Sequence, residues 1–141
     1  MSATPPPASA ASAASFAALA DERFVSLTTF RRSGEAVSTP VWIARDGDDL
    51  IVTTPKDSGK VKRLRNSGAV ELRACGRMGK VDDDAVTVAG TAAIFDDDAS
   101  RAHLNAVFAA KYRAEYRIFM FIERLGKSAN KDRVLLRISA A

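Results

Sequence analysis

With 141 residues, 47% of them apolar and 27% charged, the chain is long enough for one domain with a real core and too short for two ordinary ones. No apolar run approaches the roughly 20 residues that a membrane helix needs, so no membrane span is expected. The formal charge of +4 suits nucleic acid or a small acidic ligand, but half of the aromatic side chains fall between Phe108 and Phe121, away from the densest basic stretch, which argues against nucleic acid.

Met1 to Ser15 is nearly all Ala, Ser, Pro and Thr. It has neither the basic start nor the Leu-rich middle of a signal peptide, and it reads as a flexible tail (residues 1–15) before a single domain (residues 16–141). With no export signal and Cys75 the sole cysteine, no disulfide framework exists and the cytoplasm is the expected compartment. Ser15 to Arg23 carries Phe16, Leu19 and Ala20 at helical spacing behind a possible Ser15 cap. Phe24 to Phe30 reads as a strand, Arg31-Arg32-Ser33-Gly34 as a turn, and Ala36 to Arg45 as the returning strand. Pro40 places that second strand at an edge or a bulge. After a turn at Asp46-Gly47-Asp48-Asp49, Leu50 to Thr54 forms a third strand, and the short connections make the three an antiparallel meander.

The most informative stretch runs from Leu50 to Leu64. Pro55, Asp57, Ser58 and Gly59 end the strand, and Val61, Leu64 and Val70 then alternate with Lys60, Lys62, Arg63 and Arg65 as in a short basic amphipathic helix. Ser58 and Asp57 are both competent N-caps, so free backbone N–H groups of the first turn converge beside Ser58 and Lys60, where an anion belongs. The alternative is an ordinary solvated helix. A nucleotide P-loop fails, because Val61 follows Lys60 where a Ser or Thr would hold magnesium.

Ala69 to Ala74 is a fourth strand and Ala85 to Phe95 a fifth, with Gly90 marking a bend or bulge. Asp96-Asp97-Asp98 signal a helix start, and Leu104, Val107, Phe108 and Lys111 form a stripe on the helix that follows. Tyr112 to Leu125 continues as a second helical stretch with Tyr116, Phe119, Met120 and Ile122, stopped by Gly126. Arg133 to Ser139 closes the chain as a sixth strand. The fold expected is mainly β with flanking helices, a small six-stranded antiparallel barrel with the helices at its edge.

Side chains that commonly carry chemistry are sparse. Cys75 has no His beside it and reads as a packing residue. His103, the one histidine, lacks the companions of a triad or a zinc site. Asp82-Asp83-Asp84 and Asp96-Asp97-Asp98 sit where a turn and a helix start would want carboxylates, so no metal site is expected. Tyr112 and Tyr116 share a helix face and read as packing. Trp42 suits either a core position or the wall of a groove leading to the anion site. With no evident acid, base or nucleophile, catalytic residues cannot be named, and any enzymatic chemistry would rest on a cofactor.

The order Leu-Thr-Thr-Phe-Arg-Arg-x-Gly from Leu27, Ser-Thr-Pro-Val-Trp from Ser38, Val-Thr-Thr from Val52, Ser-Gly-Lys from Ser58, Arg-Leu-Arg from Arg63 and Val-Ala-Gly-Thr-Ala from Val88 resembles the pyridoxamine phosphate oxidase-like split β-barrel superfamily. Within it the chain is similar to the flavin- and deazaflavin-dependent oxidoreductases often called PPOX-class coenzyme F420-dependent enzymes. The resemblance spans about Phe16 to Ile138. It implies a homodimer with a flavin or deazaflavin ring in a groove at the subunit interface, and a hydride passed between coenzyme F420 and a small acceptor such as an activated alkene or quinone. By the same resemblance Ser58 and Lys60, joined by Arg63, bind the cofactor phosphate. Thr53 and Thr54 meet the ring and ribityl chain, and Thr39, Pro40, Val41 and Trp42 run along the ring. Phosphate oxidases that use FMN commonly carry an arginine near the place of Thr39 and end on Arg-Leu-x-Pro. Both features are missing, which favours coenzyme F420 over FMN. An FMN enzyme on the same scaffold, and a non-catalytic carrier of flavin, deazaflavin or haem, are the alternatives.

Overall fold

The computed structural model describes residues 15–113 and 133–140. A helical segment, α1, covers residues 15–18 of these and runs into a 3-10 turn, Leu19–Asp21. The strands follow as β1 (Phe24–Phe30), β2 (Ala36–Asp46) and β3 (Asp49–Pro55), then helix α2 (Gly59–Asn66), β4 (Ala69–Cys75), β5 (Val88–Phe95), helix α3 (Asp98–Tyr112) and β6 (Arg133–Ala140). All six strands pair antiparallel and close into a barrel in the order β1-β2-β3-β6-β5-β4. This is the six-stranded barrel that the sequence pattern predicts.

Two glycines set the hairpins of the meander. Gly34 and Gly47 adopt φ of 93° and 65°, conformations open to glycine without steric cost. The barrel interior is then filled by one alternate set of strand residues, with Val25, Leu27, Ile43, Val52, Leu72, Leu136 and Ile138 fully buried. Val61 and Leu64 of α2 join that cluster at one end of the barrel, so the apolar face of the basic helix is a plug and its charged face is left outside.

The second core lies on the outer wall. Leu104, Phe108 and Tyr112 of α3 pack against Ala44, Ile51 and Leu135, which makes β3 and β6 apolar on both faces. Asp97 caps α3 by accepting a 3.0 Å hydrogen bond from Ser100 N–H, in the role the acidic triplet predicts. The last turn of α3 is tied to the barrel by hydrogen bonds. Lys111 Nζ donates to the carbonyls of Ala20, Glu22 and Ile43 at 2.7, 2.6 and 2.7 Å, matching each of its three protons with an acceptor. The Tyr112 hydroxyl lies 2.7 Å from the Arg23 carbonyl and 2.8 Å from that of Ile43, and accepts from Ile43 N–H at 3.1 Å. Ile43 lies one residue beyond the last β1–β2 pair, Phe24↔Trp42, so Lys111 and Tyr112 satisfy backbone groups that have run out of ladder.

Several sequence expectations need correction. β5 begins at Val88, not Ala85: its pairing with β4 ends at Leu72↔Val88, and Ala85 N–H is drawn into a turn with the Asp82 carbonyl at 3.0 Å. Gly90 is neither bend nor bulge. The register runs unbroken through it on both sides, Val70↔Gly90 and Gly90↔Ala140. A Cβ there would lie 2.9 Å from Ile138 Cγ2 and 3.0 Å from the Ser139 carbonyl, so the glycine is required by close packing. Tyr112 belongs to α3, which ends at Arg113 with φ 55°. The second helical stretch with Tyr116, Phe119, Met120 and Ile122 lies otherwise outside the described residues.

The Gly90 contact is testable. Gly90→Ala should destabilise the protein by about 1–3 kcal/mol through overpacking, read as a lower midpoint in urea with unchanged slope, and combining it with Ile138→Ala, which removes the Cγ2 methyl it meets, should cost less than the sum of the two single changes.

Candidate functional site

The ladder between β2 and β3 stops at Ile43↔Val52, although β2 reaches back to Ala36 and β3 forward to Pro55. The two strands therefore diverge while each keeps its other partner, β1 and β6 respectively. Ile43 directs its backbone groups toward the Tyr112 hydroxyl on the β1 side, so strand alternation turns those of Trp42 toward the gap. Pro40 shares that direction and brings no N–H to be left without a partner, which accounts for a proline inside a closed barrel.

A groove of about 300 Å³ occupies the gap, lined by Phe24, Pro40, Val41, Trp42, Thr53, Thr54, Pro55, Lys60, Arg77 and Arg133. Its aromatic wall is Trp42, stacked on Tyr112 at 4.7 Å between ring centroids and 17° between planes, with Phe24 edge-on at 6.3 Å. Trp42 is therefore not a barrel-core residue: it is half-buried, with one flank on the outer α3 cluster and another bordering the groove. Burial pushes the Tyr112 hydroxyl up to about 12, so it keeps its proton as a structural donor.

At the β3 end the groove meets the start of α2. Ser58 occupies the N-cap position, yet its side chain makes no capping bond; its oxygen lies 3.2 Å from Thr54 Oγ1. Arg63 folds back over the same turn, its Nη1 2.8 Å from where a Cβ on Gly59 would stand, and its Nε donates to Thr29 Oγ1 at 2.6 Å. Arg133 donates through Nε to Thr53 Oγ1 at 2.8 Å. Both guanidinium groups are thus oriented by buried threonine hydroxyls. Lys60 stands between them, and burial, followed by the nearby Arg63 and Arg133 charges, pulls its pKa below the usual lysine value. Among the described residues, no Asp or Glu lines the groove.

Comparison with known proteins follows this geometry. The family described as pyridoxamine 5'-phosphate oxidase matches residues 12–141. The chain belongs to that family. No curated protein matches the sequence. Among solved structures, an F420 reductase is 19% identical with a TM-score of 0.60, over 89% of this chain and 93% of that one. A conserved hypothetical protein from Mycobacterium tuberculosis is 19% identical with a TM-score of 0.64, over 98% and 81%. A haem storage protein from Vibrio cholerae is 13% identical with a TM-score of 0.61, over 96% and 89%. At these identities the likeness is one of fold.

Of the residues that the family resemblance singles out, Pro40, Val41, Trp42, Thr53, Thr54 and Lys60 meet in the groove. Ser58 and Arg63 stand behind it, bonded to Thr54 and Thr29. Thr39 does not line it; its hydroxyl is buried without a hydrogen-bond partner among the described residues. Sequence reasoning missed Phe24, Pro55, Arg77 and Arg133. Arg133 opposes Pro55 across the β3–β6 ladder, a pairing visible only once the strand order is known. Cys75 and His103 lie elsewhere: burial pushes the Cys75 thiol up, away from nucleophile chemistry, and His103 Nε2 bonds Asp46 at 2.9 Å. Among the described residues no three His, Cys, Asp or Glu side chains gather as metal ligands.

The depressed Lys60 pKa has a measurable consequence. Acylation of Lys60 followed against pH by mass spectrometry should show a midpoint below 10.5, and inorganic phosphate should raise it, because a bound anion favours the charged amine.

Proposed function

We propose that this protein is a deazaflavin-dependent oxidoreductase, with coenzyme F420 lying in the β2–β3 groove. The observation that supports this most is a groove that, among the described residues, is lined by three cations and no carboxylate and is bordered by Trp42. A phosphate held by Lys60, Arg133 and Arg63 would find charge-assisted donors already oriented by Thr53 and Thr29. The ring would lie against β2 from Pro40 to Trp42, where β2 has parted from β3.

When bound, the deazaflavin supplies hydride transfer to or from a small organic acceptor such as an activated alkene or quinone. The chain's part is to orient and to exclude water. Trp42 and Phe24 cover one side, Val41 and Pro55 add apolar wall, and the cations anchor the charged end. At about 300 Å³ the groove is at the low end of cofactor sites, as fits a homodimer whose second subunit completes it.

FMN is the second reading, because Arg133 supplies from β6 the guanidinium that Thr39 cannot. Haem is less well served: His103, the one histidine of the sequence, bonds Asp46 and does not line the groove.

Fluorescence titration with coenzyme F420 and with FMN at matched salt tests the proposal. Micromolar F420 binding with much weaker FMN binding is expected, and turnover with enones or quinones should follow. Tighter FMN binding transfers the protein to the second reading, and binding of neither overturns both. Lys60→Ala should weaken cofactor binding by about 1.5–3 kcal/mol, roughly 10- to 150-fold; unchanged affinity would remove Lys60 from the phosphate contact.

A further inference from the structure

Two lysines of the described chain are half-buried, Lys60 and Lys111, and burial lowers the pKa of both. They differ in what their amines touch. Lys111 gives all three of its protons to carbonyl oxygens, so its nitrogen has no lone pair to offer. Lys60 Nζ makes no hydrogen bond or ion pair among the described residues, and what stands near it is the positive charge of Arg63 and Arg133. The other cations of the groove are engaged: Arg133 Nε donates to Thr53 Oγ1 at 2.8 Å, and Arg77 lies over the Phe24 ring, 6.0 Å from its centroid. Lys56, Lys62 and Lys80 are exposed. Among the described lysines, Lys60 alone combines a place in the groove, partial desolvation and an amine that nothing holds.

Beside this amine stands a receiver for phosphate. Arg63 lies three residues on, on the same face of α2, and its Nε is fixed on Thr29 Oγ1 at 2.6 Å. Its Nη1 comes 2.8 Å from where a Cβ on Gly59 would stand, which puts the guanidinium fork over the turn that carries Lys60. A phosphate on that fork leaves Lys60 facing whatever the phosphate is attached to. We propose that Lys60 is a self-acylation site for small acyl phosphates, with the Arg63 guanidinium holding the phosphate and the Lys60 amine taking the acyl group. The neutral amine is the nucleophile. Its lone pair attacks the acyl carbon and an N–C bond forms; the C–O bond to phosphate breaks, its electron pair leaves on the phosphate, and the nitrogen releases one proton to solvent. The products are an amide and inorganic phosphate, and no oxidant or reductant takes part. The amide is uncharged, so the modification removes one cation from the cluster that receives anions. This goes beyond the proposed function, because it needs the cations and not the coenzyme.

The probes are acetyl phosphate and, as an acylating agent without phosphate, the N-hydroxysuccinimide ester of acetic acid. Each is incubated with the intact protein, and acetylation is followed lysine by lysine by peptide mass spectrometry. Acetyl phosphate should acetylate Lys60 roughly tenfold faster than Lys62, as one charge-assisted phosphate contact provides, and the ester should give Lys60 a smaller lead. Inorganic phosphate should slow the reaction at Lys60 and leave Lys62 unchanged. The ratio of the two reagents' rates at Lys60 cancels the basicity of the amine and isolates recognition of the phosphate. Arg63→Gln should lower that ratio roughly tenfold, and Arg63→Lys, which keeps the charge, should retain part of it. Acetyl phosphate reacting at Lys60 no faster than at Lys62, a lead equally large with the ester, or a ratio that survives Arg63→Gln overturns the assignment. The outcome separates from that of the cofactor titration: Arg63-dependent acetylation without F420 or FMN binding would sink the oxidoreductase reading and keep this one, and the reverse pattern would sink only this one.

Discussion

Everything at the candidate site depends on two strands that stop pairing. Beyond Ile43↔Val52, β2 and β3 continue without each other, and a sheet that loses a ladder exposes backbone donors and acceptors to whatever enters. The protein handles this asymmetrically. On the β1 side, where the strand has run out, Lys111 and Tyr112 supply substitute partners to Arg23 and Ile43. On the β3 side nothing in the described chain fills the gap, and Pro40 reduces the number of donors that need filling. One flank of the same strand is sealed by α3 while the other borders the groove, and Trp42 marks the boundary between them.

The cation cluster is costly by itself, since Lys60, Arg63 and Arg133 repel one another in a partly desolvated place. Buried threonine hydroxyls hold the two guanidinium groups in position, which leaves less rotamer freedom to lose when an anion arrives. Such a cluster makes physical sense as a pre-organised receiver of negative charge. It also explains why the helix start tolerates basic residues that the macrodipole disfavours: α2 is anchored by Val61 and Leu64 in the barrel end, so burial outweighs a few tenths of a kcal/mol of adverse dipole.

Much of this was legible in the sequence. Period-two alternation, Gly34 and Gly47 between short runs, and the Asp triplet before α3 each carry a local physical reason, and the six strands follow from them. The cradle was legible for the same reason, because Ser58, Lys60 and Arg63 are close in sequence. What could not be read depends on which strands meet. Arg133 lies far from Thr53 along the chain and touches it only because β6 inserts beside β3. Arg77 reaches Phe24 only because β4 closes the barrel onto β1. Gly90 suggested a bulge because a strand glycine has two common causes, and only the nearness of Ile138 and Ser139 distinguishes them.

The strand order has a consequence for how the molecule is made. β6 lies between β3 and β5, yet the ribosome delivers it after every other strand. Until it emerges, β3 and β5 keep open edges, the Thr53 hydroxyl lacks Arg133, and the outer cluster lacks Leu135. The nascent chain can complete its meander and pair β1 with β4, but closure waits for the final strand. During that interval the two waiting edges are the surfaces most exposed to mispairing with another chain, and a chaperone that attends this protein in synthesis would find its hydrophobic target there.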